Sequence, residues 1–264
     1  MSEAAARRGM LARIAAISDG AILRAAFFVM LAGTLSVLWI DYRELTEADV
    51  ASPAAPYAPV LPAFDPDSPM TGPGPEVTSD VEALREPLSI MLGTGGVLSL
   101  AGTIDPGAAA RFATEIEARG EYVAVVTLDS PGGSVADAIA IGTLISEKGF
   151  ATRVEAGALC ASSCPLAFAG GRERQATARS AIGVHQIYAA VPAGTLPTGI
   201  RAAGDAMSDA QKTTAAVTRH LTAMGVDPAL WLHALETPPD RLYYLSPDEL
   251  ETYRLVTTMD APKS

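Results

Sequence analysis

The stretch that most constrains the fold runs from Val125 to Gln186 and contains three segments of similar local character. In each segment, an apolar run is followed by small or turn-forming residues: VVTLDSPGGSV at 125–135, CASSCPLAFAGG at 160–171 and AIGVHQ at 181–186. A short apolar run predicts a buried strand, and the residues after the first two runs predict a turn that enters a helix. Strands that alternate with helices in this way predict an α/β fold with mainly parallel strands.

The same alternation continues on both sides of this stretch. Two strands are predicted around a glycine-rich turn at 93–96. This turn is not a phosphate-binding loop, because no Gly-Lys-Ser/Thr sequence follows and the next element is a strand. Near the C-terminus, a capping box from Ser246 to Glu249 opens the last helix. The predicted elements are strands at 88–92, 97–100, 123–128, 151–156, 181–186 and 241–245, and helices at 106–119, 134–148, 165–169, 200–224, 227–236 and 246–253.

Two serines and one histidine stand at the ends of these predicted elements. Ser162 and Ser163 begin a short helix, and a helix N-terminus presents unpaired N–H groups that can stabilise a developing oxyanion. A serine hydroxyl becomes a nucleophile when a base accepts its proton, and His185 follows the next strand. With the double glycine at 132–133, the pattern predicts an acyl-transfer site. In a purely structural role, the serines would cap the helix and the histidine would be a core residue.

An apolar segment near the N-terminus approaches the length of a membrane span. Residues 25–40 carry no charge, and 21–23 extend the run past Arg24, so the sequence predicts a transmembrane anchor at 21–40. Basic residues precede this segment and acidic residues follow it, which places the N-terminus in the cytoplasm and the rest of the chain outside. The alternative is a cleaved signal peptide, but the apolar core exceeds the usual length and no small-x-small site follows Ile40 directly.

A proline-rich region separates the anchor from the α/β domain. Eight prolines lie between Val50 and Glu76, and such a run forms neither a helix nor a central strand. It therefore predicts an extended stalk or a plain disordered linker. The predicted organisation is a cytoplasmic tail at 1–20, the anchor at 21–40, the stalk at 41–80 and the α/β domain at 81–264.

Charge and cysteine content limit the partners of this chain. The sequence has 19 Lys and Arg against 30 Asp and Glu, a net charge of −11, whereas residues 1–40 have a net charge of +2. An acidic body argues against nucleic acid and against docking on an anionic membrane surface. Two cysteines, Cys160 and Cys164, cannot build a four-ligand zinc site, so no metal is predicted. They form either a disulfide in an oxidising compartment or two free, buried thiols.

Four segments taken together are similar to a known family. LDSPGGSV, ASSCPLAFAGG, GVHQ and DRLYYLSPDELETYRLV follow the order and spacing of the Clp protease proteolytic subunit. The resemblance runs from about Leu88 to Val256 and is closer to the periplasmic, membrane-anchored relatives of that subunit, within the Clp/crotonase superfamily. It implies a Clp/crotonase-like ββα superhelix, preceded here by a single transmembrane helix.

The resemblance also implies a Ser-His-Asp triad. Ser162 matches the nucleophile, His185 the general base and Asp240 the acid that orients the base, while the backbone N–H groups of Gly133 and Ser163 match the oxyanion hole. The expected activity is hydrolysis of a peptide or protein substrate outside the cytoplasm, without a cofactor. The family resemblance is compatible with a homo-oligomer. It implies no ATP-driven partner here, because an external domain would have no ATP to use.

Other assignments remain open at this level. Ser163 is a competing nucleophile, and Asp227 and Asp248 compete with Asp240. A Ser–Lys dyad with Lys148 is less favoured, because that lysine ends a helix just before a glycine. For the whole protein, the alternatives are a catalytically inactive peptide-binding or scaffold protein of the same fold and a crotonase-type acyl-CoA enzyme. The second alternative would need no Ser–His pair.

Overall fold

The computed structural model describes residues 18–50, 75–187 and 200–260. Most of the predicted cytoplasmic tail, the proline-rich residues 51–74 and the predicted loop at 189–199 lie outside the described residues. The chain divides into two compact units, of which the first holds the N-terminal helix and the second holds the α/β domain.

Helix α1 (Asp19–Val50) carries the apolar segment. Its part from Asp19 to Arg43 contains an 18-residue window with a mean hydropathy of 2.0 and is long and apolar enough to cross a membrane, a criterion that a signal sequence near the N-terminus also meets. The hydroxyls of Thr34 and Ser36 donate hydrogen bonds to carbonyls one turn earlier, so both polar groups are satisfied within the helix. The helix continues past Ile40, the predicted end of the anchor, because no proline or glycine interrupts it there.

Short strands alternate with helices in the second unit. The helices are α2 (Val81–Arg85), α3 (Ala108–Arg119), α4 (Val135–Lys148), α5 (Cys164–Phe168), α6 (Ile200–Ala223), α7 (Leu230–Glu236) and α8 (Pro247–Thr252). The strands are β1 (Ser89–Leu92), β2 (Val97–Ala101), β3 (Val125–Asp129), β4 (Ala151–Arg153), β5 (Leu159–Ala161), β6 (Arg174–Thr177), β7 (Ala181–Val184), β8 (Tyr243–Tyr244) and β9 (Thr258–Asp260).

Six strands form the larger sheet, in the order β1-β2-β3-β4-β6-β9. Strand β1 is antiparallel to β2, and all the other pairs are parallel. Alternate residues of β2 and β3 are buried in one hydrophobic cluster with side chains of α3 and α4. The predicted α/β class with mainly parallel strands is therefore confirmed.

Three strands form a smaller sheet, in which β5 is parallel to β7 and β8 is antiparallel to β7. The sequence pattern does not predict β5. It predicts a single strand over 151–156, whereas β4 ends at Arg153 and the chain turns at Gly157, whose φ is +78°. A left-handed residue stops an extended strand, so the chain leaves the larger sheet here and enters the smaller one.

The caps of two helices follow the sequence pattern. The Ser134 side chain accepts a hydrogen bond from the Asp137 N–H at the start of α4, and Gly149 ends that helix in the left-handed conformation. At the start of α8, both hydrogen bonds of the capping box between Ser246 and Glu249 are present. The predicted capping box is confirmed, and Ser134 caps the helix predicted at 134–148.

A buried arginine attaches the C-terminal segment to the larger sheet. The Arg174 guanidinium on β6 donates hydrogen bonds to the carbonyls of Gly171, Arg254 and Leu255. Burial lowers the pKa of Arg174 from its usual value. The fan of three carbonyl acceptors compensates the desolvated charge and fixes the chain that enters β9.

Helix α4 meets α5 and the turn that follows it at two glycines, Gly142 and Gly170. A Cβ atom on Gly142 would lie 2.5 Å from the Leu166 carbonyl oxygen, and a Cβ atom on Gly170 would overlap the backbone of Gly142. Buried His220 on α6 closes the contact, because its Nε2 atom hydrogen-bonds the Leu166 carbonyl oxygen at 2.8 Å. Burial lowers the pKa of His220, so the neutral imidazole is favoured between these helices.

We predict that Gly170→Ala destabilises the fold. The added methyl group has no room against Gly142, and overpacking of this kind costs about 1–3 kcal/mol of unfolding free energy. Thermal unfolding of the full chain in detergent micelles, followed by circular dichroism, should show a melting temperature lower by several degrees. The matched control is Gly93→Ala, because a Cβ atom there would make only an ordinary contact, 3.5 Å from the Val97 carbonyl oxygen. Equal melting temperatures for the two variants would contradict the packing described for α4 and α5.

Candidate functional site

The corner after β3 is joined by backbone hydrogen bonds to β5. The Ser130 N–H donates to the Leu159 carbonyl at 2.6 Å, and the Ala161 N–H donates to the Ser130 carbonyl at 3.0 Å. The Ser130 hydroxyl oxygen accepts a hydrogen bond from the Gly132 N–H at 3.1 Å, which closes the turn. The Asp129–Gly133 corner is therefore fixed against the strand that leads into the two serines. Sequence reasoning does not single out Ser130, although its place before Pro-Gly-Gly is typical of a turn residue.

The two glycines of this corner face different neighbours. Gly132 has a φ of +96°, and a Cβ atom on it would lie 2.8 Å from the Ser162 Cβ and 2.9 Å from the Ser163 nitrogen. Gly133 has a φ of +140°, and a Cβ atom on it would overlap the Ile104 carbonyl oxygen. Both positions need glycine. Of the two glycines, Gly132 is the one that directly approaches the serines, a contact that the sequence pattern does not indicate.

Ser162 stands at the strand-to-helix corner in a left-handed conformation. Its φ is +60°. Among the described non-glycine residues, only Arg254 also has a positive φ. Its N–H donates to the Gly183 carbonyl of β7 at 2.8 Å, and the residue is half-buried. A left-handed serine is uncommon, and surrounding contacts must hold it in place. Strain of this kind is frequent where a nucleophile is presented at a sharp turn between a strand and a helix.

Ser163 is buried in a way that distinguishes it from Ser162. It is 1% exposed, and its Oγ atom has no hydrogen-bond partner in the described part of the chain. Its hydroxyl is therefore poorly placed to meet a substrate. Within the described ranges, no hydrogen bond uses the N–H groups of Gly133 and Ser163 as donors. These two backbone N–H groups therefore have no acceptor among the described residues, as the donors of an oxyanion hole would in the free protein.

His185 lies at the same edge of the smaller sheet as Ser162. Strands β5 and β7 are parallel, with Ala161 opposite Gly183, so each strand ends beside the other. Ser162 is the first residue after β5, and His185 is the first residue after β7. His185 is 3% exposed. Burial lowers the pKa of its imidazole, and a backbone hydrogen bond at Gln186 raises it by less. The neutral form is therefore favoured.

The segment that carries Asp240 runs beside His185. Antiparallel β8 places Tyr243 opposite Val184, and the Gln186 N–H donates to the Thr237 carbonyl at 2.9 Å. Asp240 lies between these two attachment points and is exposed to solvent. The structure therefore brings Ser162, His185 and the Asp240 segment to one edge of the smaller sheet.

A polar cluster holds the base of the Asp240 segment. The His233 ring stacks on the Tyr243 ring, with centroids 4.4 Å apart, and His233 Nε2 lies 2.9 Å from the Tyr253 hydroxyl. The Tyr243 hydroxyl donates to the Glu249 carboxylate at 2.6 Å, which raises the pKa of Tyr243 to about 12. The cluster links α7, β8 and α8, so both ends of the segment are fixed. Sequence reasoning matches His233 to no motif, and its contacts are those of a structural residue.

The competing acids and the lysine occupy other places. Asp227 accepts a hydrogen bond from the Ala229 N–H in the turn before α7, while Asp248 and Lys148 are exposed on their helices. The contacts of Asp227 are those of a turn residue, and Lys148 is the exposed last residue of its helix. Among the residues that the structure describes, no group of three or more His, Cys, Asp and Glu side chains could hold a metal ion.

A disulfide crosses the serine corner. It joins Cys160 on β5 to Cys164, the first residue of α5, with the two Cα atoms 5.2 Å apart. Both cysteines are fully buried in the main hydrophobic cluster. Of the two states left open by the sequence, the structure contains the disulfide.

Among the comparisons with known proteins, only the search of solved structures finds similar chains. A scan against protein-family models finds no match, and a search of curated proteins finds none either. Among solved structures, the chain is similar to a peptidase from Plasmodium falciparum, with 15% identity and a TM-score of 0.45 over 64% of this chain and 96% of that one. It is also similar to a mutant ClpP1 from Listeria monocytogenes, with 16% identity and a TM-score of 0.47 over 64% of this chain and 92% of that one.

We predict that Gly132→Ala disrupts the serine corner beyond the cost of an unfavourable φ. The added methyl group would lie 2.6 Å from the Ala161 carbonyl oxygen and would crowd Ser162. Gly107→Ala is the matched control, because its φ of +92° is similar and a methyl group added there would have no neighbour within 4 Å. Chemical unfolding should show Gly132→Ala to be less stable than Gly107→Ala by about 1–3 kcal/mol, the usual cost of overpacking. Equal stabilities would mean that the corner has room for a side chain.

Proposed function

We propose that this protein is a serine peptidase, attached to a membrane by α1, in which Ser162 attacks the substrate carbonyl. The observation that carries the proposal is the serine corner. There, a left-handed, half-buried Ser162 lies against Gly132 and one strand away from His185, and no described acceptor uses the N–H groups of Gly133 and Ser163. The competing hydroxyl of Ser163 is almost fully buried, which favours Ser162 as the nucleophile.

The proposed reaction has two halves that use the same groups. His185 accepts the Ser162 proton as the hydroxyl oxygen bonds to the peptide carbonyl carbon, and the oxyanion accepts hydrogen bonds from the N–H groups of Gly133 and Ser163. His185 then donates that proton to the amine nitrogen as the peptide bond breaks, which leaves an acyl-enzyme ester on Ser162. Water attacks the ester with His185 again as base, and the acid product and free Ser162 are released. No step requires a metal or a cofactor.

The environment of His185 suits the role of a base. Burial favours its neutral form, which is the form that can accept a proton. In this proposal, Asp240 is the acid that orients the imidazole and stabilises the imidazolium, because its segment passes His185 between Thr237 and Tyr243.

We place the catalytic domain outside the cytoplasm. Helix α1 is apolar enough to span a membrane, and the charges on its two sides follow the positive-inside rule with the N-terminus in the cytoplasm. The Cys160–Cys164 disulfide supports this location independently, because such bonds form and persist in oxidising compartments. A peptide or protein is the substrate in this proposal, no ATP-driven partner is needed, and assembly into a homo-oligomer is compatible with it.

We predict that Ser162 reacts covalently with a fluorophosphonate probe. The phosphonyl oxygen would occupy the proposed oxyanion site while the serine oxygen bonds to phosphorus, fluoride leaves and His185 takes up the serine proton. Ser162→Ala should abolish labelling of the full-length protein in detergent micelles, as measured by fluorescence of the probe after gel electrophoresis. Ser163→Ala is the matched control and should keep labelling, because its hydroxyl is buried and unpaired within the described residues.

The same labelling experiment also separates a peptidase from an inactive scaffold or peptide-binding protein. A scaffold or peptide-binding protein of the same fold predicts no labelling of the wild-type chain. Equal labelling of wild type and Ser162→Ala would assign the reaction to another residue. Either result with a correctly folded, full-length sample contradicts the proposed peptidase site.

We predict that the labelling rate rises with pH through a midpoint below 6.5. Burial lowers the pKa of His185 from that usual value, and only the neutral imidazole accepts the Ser162 proton. Below the midpoint, the imidazolium is inactive as a base, and above it the rate should be level. Initial labelling rates measured from about pH 4 to pH 8 cover the titration range of histidine. A midpoint above 6.5 would mean that an acidic partner outweighs burial at His185.

A further inference from the structure

We propose that the Cys160–Cys164 disulfide is the positioning element that holds Ser162 in its left-handed conformation. The bond joins the residues two positions before and two positions after Ser162. The short segment that it encloses contains both the proposed nucleophile and the N–H group of Ser163. The site is therefore formed completely only in the oxidised chain. The functional part of this inference rests on the proposed peptidase activity, whereas the structural part does not.

The enclosed residues are attached to three different neighbours. The Ala161 N–H donates to the Ser130 carbonyl, the Ser162 N–H donates to the Gly183 carbonyl, and the Ser163 nitrogen lies close to Gly132. These attachments define where each residue should lie. They do not by themselves fix the backbone angle at Ser162, where the chain changes direction sharply. A left-handed conformation is unfavourable for serine, so a further constraint is needed there.

The two ends of the disulfide belong to elements that are fixed independently. Cys160 lies opposite Ile182 in the pairing of β5 with β7. Cys164 begins α5, whose Leu166 carbonyl is held by His220. The disulfide therefore joins a fixed strand to a fixed helix across the corner. On the loop-entropy estimate, closing so short a loop favours the closed corner by roughly 30-fold.

Burial of both cysteines indicates a permanent role. Each is 0% exposed, so an external reductant does not reach the bond in the folded chain. Two reduced thiols would still pack as small apolar groups, so a chain without the bond should keep its core. We therefore expect loss of the disulfide to affect the corner more than the rest of the domain.

The test uses full-length chains in lipid nanodiscs: wild type, Cys160→Ala, Cys164→Ala and the double variant. The first readout is hydrogen exchange, measured by mass spectrometry, of peptides that cover residues 159–168. We expect exchange in these peptides to be faster by roughly 30-fold in each single variant, the factor given by loop closure. Peptides from β2 and β3 should change less, because local opening of the corner does not expose them. The second readout is the rate of fluorophosphonate labelling, which should fall in parallel.

The double variant distinguishes one shared bond from two separate packing effects. If the disulfide is the cause, either substitution alone removes it, and the second substitution adds little. If each cysteine acts only by filling space, the two effects should add. Phe112→Leu on α3 is the control for a general loss of stability, because this buried residue lies on a different element and should leave exchange at the corner unchanged. If the double variant does not fold, wild type refolded with and without reductant gives the same comparison.

The outcomes separate this inference from the proposed function. Unchanged exchange over 159–168 in the folded double variant, or effects that add, would overturn the positioning role. Faster exchange together with an unlabelled wild type would support the positioning role and reject the peptidase. Faster exchange with undiminished labelling would show that Ser162 does not need the fixed corner, which overturns the functional part of the inference while the peptidase stands.

Discussion

Two backbone hydrogen bonds at Ser130 connect the larger sheet to the smaller one, and the candidate site is built on this junction. Strand β3 belongs to the six-stranded sheet, yet the residue directly after it pairs with Leu159 and Ala161 of β5. The Asp129 carboxylate adds a third bond, since it accepts from the Leu159 N–H at 2.9 Å. The glycine turn after β3 is thereby brought against the serines after β5. Without this junction, two separate sheets would present their loops independently.

At Ser162, the free-energy cost of the left-handed conformation can be compared with the stabilisation from its hydrogen bond. A non-glycine residue in this region costs about 1–2 kcal/mol. Its hydrogen bond to Gly183 returns about 1 kcal/mol, the usual net value of such a bond. These two effects nearly cancel, so the conformation depends on further constraints from the surrounding structure. The glycine at 132, which leaves room for the serine, and the buried disulfide are the two constraints nearest to it.

The features predicted correctly from the sequence are those whose causes are local. The caps at Ser134 and Ser246 depend on a few neighbouring residues, and both are present. The sequence pattern does not predict strands β5, β6 and β9, because each has only three or four residues and exists through its pairing partner. The sequence could place Ser162 at a helix start and His185 after a strand. It could not show that Gly132 is the glycine facing the serines, because that depends on the approach of β5 to the corner.

The two acid–base groups of the proposed triad lie in different environments. His185 is buried, so in the free chain its neutral form is favoured, whereas Asp240 is exposed and its charge is screened by water. Water around the exposed Asp240 screens its charge and so weakens its attraction to the imidazolium that forms during attack. A bound peptide that excludes water from this edge of the smaller sheet would strengthen the attraction between the two groups at the step that needs it. Substrate binding would then contribute to catalysis as well as to recognition, because it changes the medium in which Asp240 acts on His185.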